Sequence, residues 1–88
     1  MRNLLWQSDA WDEYIEIQPD KRLLRKVNRL LKDIMRNGYQ CTYGKAEKLK
    51  GDFSGYSSVR IDQKNRIVFA ADEMTVIIIQ CGGHYHDT

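Results

Sequence analysis

The sequence predicts an α+β fold in which two helices precede a series of β-strands. Apolar residues recur at helical spacing up to residue 38, and β-branched residues dominate the second half. The 88 residues have 42% hydrophobic content and no linker or repeat, so one domain over residues 1–88 is expected. The expected order is β-α-α-β-β-β-β. The economical architecture places both helices on one face of a four-stranded antiparallel sheet, within a twisted, mainly antiparallel fold.

The first half is expected to hold one short strand, residues 2–6, and two helices. Ser8 is a suitable N-cap for the first helix, Pro19 separates the helices, and Asp20 can cap the second. Gly38 stands where a left-handed C-cap belongs. The apolar face of the first helix is formed by Trp11, Tyr14 and Ile15. The apolar stripe of the second is formed by Leu23, Leu24, Val27, Leu30, Leu31, Ile34 and Met35.

The second half shows strand patterns separated by polar turns. The predicted strands are residues 47–50, 56–61, 66–71 and 75–81. The first of these is of the short edge type. The last contains four β-branched residues, 76–79, without polar alternation, so it should be a central strand buried on both faces.

Side-chain alternation places Arg60 and Arg66 on the sheet face that the helices leave open. The residues that should point toward the helices are Val59, Ile61, Ile67 and Phe69. For both arginines to share the open face, an odd number of residues must join the two strands. That requirement favours a bulge over a two-residue turn. This uncovered face becomes concave as the sheet twists, and a phosphate is expected to bind there.

The charge distribution is more informative than the net charge of +2. Residues 1–20 carry five acids against one base, whereas residues 21–50 carry ten bases against two acids. Such a basic segment is a candidate for contact with a polyanion, and RNA is the obvious one. A solvated helix face is the alternative. The four cations of the second helix singled out for this contact are Lys21, Arg25, Arg29 and Lys32.

A set of polar residues in the second half supplies the groups that metal-free RNA cleavage needs: a carboxylate, three cations, an imidazole and a phenol. They are Glu47, Lys50, Arg60, Arg66, His84 and Tyr85. A base must take the proton of the 2′-OH, an acid must protonate the departing 5′-oxygen, and cations must hold the phosphate. Glu47 has a simpler alternative role as a solvated partner of nearby lysines, and Tyr85 as a rim aromatic or a base-stacking platform.

The remaining residue types narrow the class of protein. Two cysteines are too few for a secreted disulfide framework, so a cytoplasmic protein with reduced thiols is expected. No apolar run approaches the about 18 residues of a membrane span. Cys81, His84 and His86 offer a metal site without an evident fourth ligand, so no metal is predicted. Trp6, Trp11 and Tyr14 fit either the core or a dimer surface.

Six short segments of the chain form an ordered set of motifs. They are Leu5-Trp6-Gln7-Ser8, Trp11-Asp12-Glu13-Tyr14, Gly44-Lys45-Ala46-Glu47-Lys48-Leu49-Lys50, Ser54-Gly55-Tyr56, Asn65-Arg66-Ile67-Val68 and His84-Tyr85. In their order and near-identical spacing, the chain resembles bacterial toxins of the YoeB/Txe group within the RelE/ParE superfamily. The match runs through nearly the whole sequence.

The resemblance implies a RelE-like toxin that cuts mRNA in the A site of the 70S ribosome. It implies no cofactor, a YefM/Axe-like antitoxin that binds through a disordered C-terminal segment, and compatibility with a homodimer. By motif, Glu47 is the general base, Arg66 the transition-state cation, His84 the general acid and Tyr85 the terminal aromatic. Lys50 and Arg60 match the phosphate-binding cations. The basic helix is then expected to contact the ribosome.

The sequence also departs from the family pattern. Ala46 and Lys48 replace prolines around the glutamate, Ser57 and Val59 replace a tryptophan and an arginine, and Gly82-Gly83 precede the terminal pair. These departures leave two alternatives open. One is a catalytically idle module that binds RNA, the ribosome or an antitoxin. The other is a ParE-like, gyrase-directed toxin, which the presence of the Glu…Arg…His-Tyr set disfavours.

Overall fold

A computed structural model describes residues 1–82 of the chain. The predicted elements occur in the predicted order, and the α+β class is confirmed. The helices and strands are β1 (Asn3–Trp6), α1 (Ser8–Glu16), α2 (Lys21–Asn37), β2 (Glu47–Lys48), β3 (Ser57–Arg60), β4 (Arg66–Ala71) and β5 (Thr75–Cys81). Two short 3₁₀ turns, Gly38–Gln40 and Gly51–Phe53, lie on either side of β2. Neither helix within residues 1–82 has the length and apolar content needed to cross a bilayer.

The sheet has five strands in the order β1-β5-β4-β3-β2, rather than the four antiparallel strands expected. The fifth strand is β1, which pairs with β5 in parallel, while the other pairs are antiparallel. Its alternation explains this position: Leu4 and Trp6 face the core cluster, whereas Leu5 is 52% exposed. Pairing with β5 lets the two apolar side chains pack beneath the helices.

The core lies between α2 and the sheet. Four residues of α2, Val27, Leu30, Leu31 and Ile34, are buried at the predicted helical spacing. They belong to the same cluster as the four strand residues predicted to point toward the helices, Val59, Ile61, Ile67 and Phe69. This confirms the alternation on which the placement of the arginines depends.

Strand β5 is central, between β1 and β4, but it is not fully buried on both faces. Val76 and Ile78 face the helices and are completely buried, whereas Ile77 and Ile79 are half-buried. The expectation of burial on both faces was wrong because both helices cover the same side of the sheet.

One of the three predicted helix ends follows the expected chemistry in full and one in part. The Asp20 carboxylate accepts a hydrogen bond from the N–H of Leu23 at 3.1 Å. Gly38 ends α2 with a positive φ of 61°, but its ψ of −134° lies outside the left-handed helical region. Ser8, however, is the first residue of α1 rather than its cap, and Gln7 occupies the cap position without a side-chain hydrogen bond. The apolar face of α1 is also more exposed than expected: Trp11 and Ile15 are 45% and 47% exposed.

Candidate active site

Arg60 and Arg66 are cross-strand partners at the end of the β3–β4 hairpin. Residues 61–65 join the strands, so the predicted odd number is confirmed, and the Asp62 carboxylate accepts hydrogen bonds from two N–H groups of the turn. The β3–β4 pairing is in regular register, so the expected bulge is not there. The register shift in the sheet occurs instead between Val68 and Phe69, opposite β5.

The edge strand β2 brings Glu47 beside the hairpin. Glu47 pairs with Ser58 of β3, and the Nη1 atom of Arg66 lies 3.6 Å from the Oε1 atom of Glu47. The same Nη1 donates a hydrogen bond of 2.9 Å to the hydroxyl of the fully buried Ser58. A buried hydroxyl of β3 therefore orients the guanidinium, and the Glu47 carboxylate lies beside it.

These residues line an open cleft of about 490 Å³, called here the cationic cleft. Its lining residues are Lys26, Leu30, Tyr43, Gly44, Lys45, Glu47, Arg60 and Arg66. Four cations against one carboxylate favour the binding of a phosphate. Because α2 contributes Lys26 and Leu30, the cleft extends around the sheet edge to the helix and is not confined to the open sheet face.

The loop that leads into β2 is held against α2 by Asp33. Its carboxylate accepts hydrogen bonds from the N–H groups of Thr42, Tyr43 and Gly44 at 3.0, 2.6 and 3.3 Å, and from the Asn37 amide at 2.9 Å. Partial burial raises the pKa of Asp33, but these hydrogen bonds outweigh it and leave the pKa below the ordinary value. Asp33 thus positions the loop that carries Glu47 without lining the cleft.

An aromatic ring forms part of the cleft wall. Tyr43 is 41% exposed, and the guanidinium of Arg29 lies 3.8 Å from the centroid of its ring. Gly44, the next residue, packs so closely on α2 that a Cβ there would stand 2.6 Å from Leu30 Cδ2. The loop therefore approaches the helix at Gly44 and presents Tyr43 at the cleft.

The cysteines of the described chain are poor nucleophiles. Burial and the nearby Glu13 carboxylate raise the pKa of Cys81 to about 12. Partial burial and Asp33 raise the pKa of Cys41. Within residues 1–82, no group of three or more histidine, cysteine or acidic side chains could hold a metal ion.

The structure brings together three of the predicted site residues, Glu47, Arg60 and Arg66. Lys50 is exposed and follows β2 outside the lining of the cleft, so its phosphate-binding role stays a prediction. His84 and Tyr85 lie outside the described residues. The four cations of the basic helix, Lys21, Arg25, Arg29 and Lys32, are all exposed on α2.

Sequence reasoning missed several residues that build the site. Lys26 counted only as a member of the basic segment, and Lys45 only as a further possible solvated partner of Glu47, although both line the cleft. Tyr43 lies in an irregular loop, and Asp33, on α2, contacts that loop. Periodicity cannot predict which residues are neighbours there. The isolated acid within the basic helix was the available signal for Asp33.

A second surface depression, called here the aromatic groove, lies on the other side of α2. Its lining residues are Leu4, Trp6, Trp11, Tyr14, Asn28, Leu31, Lys32 and Met35. The centroid of the Trp6 ring lies 5.6 Å from that of Trp11 and 4.9 Å from that of Tyr14, so the three rings form one cluster. Trp6 and Tyr14 pack against the core, as one of the predicted alternatives had it. Trp11 is exposed, and the other alternative, a dimer surface, stays a prediction for it.

Comparison with solved structures identifies the fold as that of a small bacterial toxin. The YoeB dimer from Staphylococcus aureus is similar with a TM-score of 0.84 and 39% identity, covering 96% of this chain and 98% of that one. A heterotetrameric YoeB–YefM complex from the same organism is similar with a TM-score of 0.85 and 38% identity. The match covers 97% of this chain and 99% of that one. YafQ from Escherichia coli, at 12% identity and a TM-score of 0.77, shares the fold alone.

Sequence comparison identifies the family. The model of the YoeB-like toxin of bacterial type II toxin-antitoxin systems matches residues 6–85, and the chain belongs to this family. Toxin YoeB of Escherichia coli K12 is 39% identical over 83 residues, which cover 93% of this chain and 98% of the relative. Toxin RelK of Mycobacterium tuberculosis is 34% identical over 86 residues, which cover 97% of this chain and 100% of the relative.

Proposed function

We propose that the protein is a ribosome-dependent endoribonuclease that cleaves mRNA in the A site and thereby inhibits translation in the cytoplasm. The observation that carries the proposal is the pairing of Glu47 with Arg66, at 3.6 Å, in a cleft with an excess of cations. Membership of the YoeB-like toxin family supports the same activity.

The proposed reaction needs neither metal nor cofactor. Glu47 takes the proton of the 2′-OH, the 2′-oxygen attacks the phosphorus, and the bond to the 5′-oxygen breaks as His84 donates a proton to it. The products are a 2′,3′-cyclic phosphate and a 5′-hydroxyl. Arg66 and Arg60 stabilise the charge that builds on the phosphate oxygens, with Lys50 as a further phosphate contact. Tyr85 stacks on a base near the cleaved bond.

The geometry of the described residues is suited to this chemistry. Glu47 is 65% exposed at its side chain, so a substrate hydroxyl can reach it, whereas the Arg66 side chain is only 24% exposed. The exposed Glu47 carboxylate lies beside the Arg66 guanidinium, where its oxygens can accept the proton of a substrate hydroxyl. A partly buried guanidinium fixed by Ser58 is preorganised to bind the developing charge.

The proposed partners are a cognate antitoxin, the 70S ribosome with its mRNA, and a second copy of the chain. The solved relatives include a YoeB dimer and a YoeB–YefM complex, which support a homodimer and a YefM-like antitoxin. The exposed cations of α2 support contact with ribosomal RNA.

Primer extension on mRNA translated with the purified protein tests the proposal. New 5′-ends at ribosome-positioned codons are expected with the wild-type chain, and none when ribosomes are left out. If the protein arrests translation without producing new ends, it occupies the ribosome as an idle module. If translation is unaffected, the toxin acts elsewhere.

A further inference from the structure

Tyr43 has no role in the proposed proton transfers, yet its side chain forms part of the wall of the cationic cleft. The side chain is 41% exposed, so a ligand in the cleft can reach it. The loop around it is not held by the ring, because the Asp33 carboxylate binds the backbone N–H groups of Thr42, Tyr43 and Gly44. The ring is therefore presented at the surface by an anchor that does not depend on it.

The surroundings of the ring indicate what it can bind. The guanidinium of Arg29 lies 3.8 Å from the ring centroid and covers one face, so a ligand would stack on the other. Lys26, Lys45 and Arg60 line the same cleft and supply positive charge for a phosphate. A flat, unpaired base attached to a phosphate matches both parts of this surface.

We propose that Tyr43 is a base-stacking platform for a nucleotide that flanks the cleaved phosphate. The inference rests on the proposed ribonuclease function and adds a second aromatic contact, on the α2 side of the cleft. The backbone anchor and the Arg29 contact fix the ring before the substrate arrives, which lowers the entropic cost of binding. Stacking of this kind tolerates any base, so it holds the RNA in register rather than selecting a sequence.

Ribosomes programmed with mRNA that carries a single abasic ribonucleotide in the A-site codon provide the test. Tyr43→Ala and Tyr43→Leu should slow cleavage of intact mRNA by roughly 5- to 150-fold, the usual range for loss of one stacked base, and Tyr43→Phe should cleave normally. An abasic residue at the stacked position should slow the wild-type protein by a similar factor. It should cause no further loss in Tyr43→Ala or Tyr43→Leu, because the contact is already absent.

Trp11→Ala is the matched control, since Trp11 is similarly exposed, at 45%, but lines the aromatic groove. This variant should retain the full abasic penalty. The inference is overturned if Tyr43→Leu cleaves like the wild type, or if every abasic position slows the Tyr43 variants and the wild type equally. Loss of antitoxin binding in Tyr43→Leu with unchanged cleavage would assign the ring to a protein contact instead.

Failure of the proposed function has a different signature, because the wild-type protein would then cleave none of the mRNAs. Binding of a short single-stranded RNA, measured by fluorescence anisotropy, tests the platform in that case as well. Removal of one base should weaken the affinity of the wild-type chain but not that of Tyr43→Leu. Equal losses in both proteins would contradict the proposal.

Discussion

Helix α2 separates two surfaces of opposite character. On one side, Lys26 and Leu30 form a wall of the cationic cleft; on the other, Leu31 and Met35 belong to the aromatic groove. The cleft has four cations and a carboxylate among its lining residues, whereas Lys32 is the one charged residue that lines the groove within the described chain. One helix thus serves a polar site and an apolar surface through the same 3.6-residue repeat.

The two surfaces also differ in how their parts are held. In the cleft, polar contacts hold two of its parts: Ser58 orients Arg66, and Asp33 anchors the loop that leads to Glu47. In the groove, the rings of Trp6, Trp11 and Tyr14 contact one another edge-on or at a tilt, and a single hydrogen bond joins Tyr14 to Asn28. Directional contacts are suited to chemistry, which requires fixed geometry, while a cluster of rings is suited to contact with another surface.

The largest expected difference concerns cleavage. Arg66→Ala should lower the rate of mRNA cleavage by about 10²–10³-fold, because a preorganised cation is lost from the developing phosphate charge. Trp11→Ala should leave the rate within about twofold of wild type, since the groove takes no part in the reaction. Single-turnover cleavage on programmed ribosomes measures both. Equal losses in the two variants would show that the surfaces do not have separate roles.

The next effect concerns the anchor of the cleft loop. Asp33→Asn should destabilise the protein by about 1–3 kcal/mol at pH 7, the usual cost of weakening hydrogen bonds to a charged group. Asp12→Asn, at an exposed position of α1, is the matched control and should stay within about 0.5 kcal/mol. Denaturant unfolding measures both. The native tryptophan fluorescence should be unchanged in Asp33→Asn, because the aromatic groove does not depend on this anchor.

The same contact predicts a pH dependence. The pKa of Asp33 is lower in the folded chain than its ordinary value, so its stabilisation is present above the unfolded pKa of about 3.9. As the pH falls through the lowered folded pKa, this stabilisation should disappear and the Asp33→Asn variant should become as stable as the wild type. A difference that persisted at lower pH would show that the charge of Asp33 does not hold the loop.

A smaller effect is expected from the exposed cations of α2. Lys21→Gln, Arg25→Gln and Lys32→Gln together should weaken ribosome association and reduce its salt slope by about 2, at roughly 0.7 per single-strand phosphate contact. Arg29 is left intact because it contacts Tyr43. Stability should change by less than about 1 kcal/mol, as exposed charges contribute little. Unchanged affinity and slope would mean that these residues are only a solvated face.

Most of the fold could be predicted because its signals are local. The bounds of β4 and β5 were predicted correctly. Asp20 caps the start of α2 and Gly38 lies at its end, as expected. The pairing of β1 with β5 could not be predicted by periodicity, because partner choice depends on contacts between residues far apart in sequence. The partial exposure of Ile77 could not be predicted for a similar reason. The run of β-branched residues does not show how much of the open sheet face other elements cover.

The site was predictable where it lies on regular strands. Alternation predicted that Arg60 and Arg66 share a face, and their pairing confirms it. Tyr43 and Lys26 were missed because their meeting depends on the path of an irregular loop. Val59, interpreted from sequence as a lost charge, is fully buried in the core, so an apolar residue fits this position.

The central claim is that the cationic cleft performs acid–base cleavage with Glu47 as its base. Single-turnover cleavage of ribosome-bound mRNA by Glu47→Gln tests it most directly, with Glu73→Gln, an exposed glutamate in the β4–β5 turn, as the matched control. Glu47→Gln should cleave about 10²–10⁴-fold more slowly while ribosome and antitoxin binding persist, and Glu73→Gln should cleave like the wild type. His84→Gln should show a similar loss, less than additive with Glu47→Gln. Cleavage and growth arrest at the wild-type level in the Glu47→Gln/His84→Gln double variant would contradict the account.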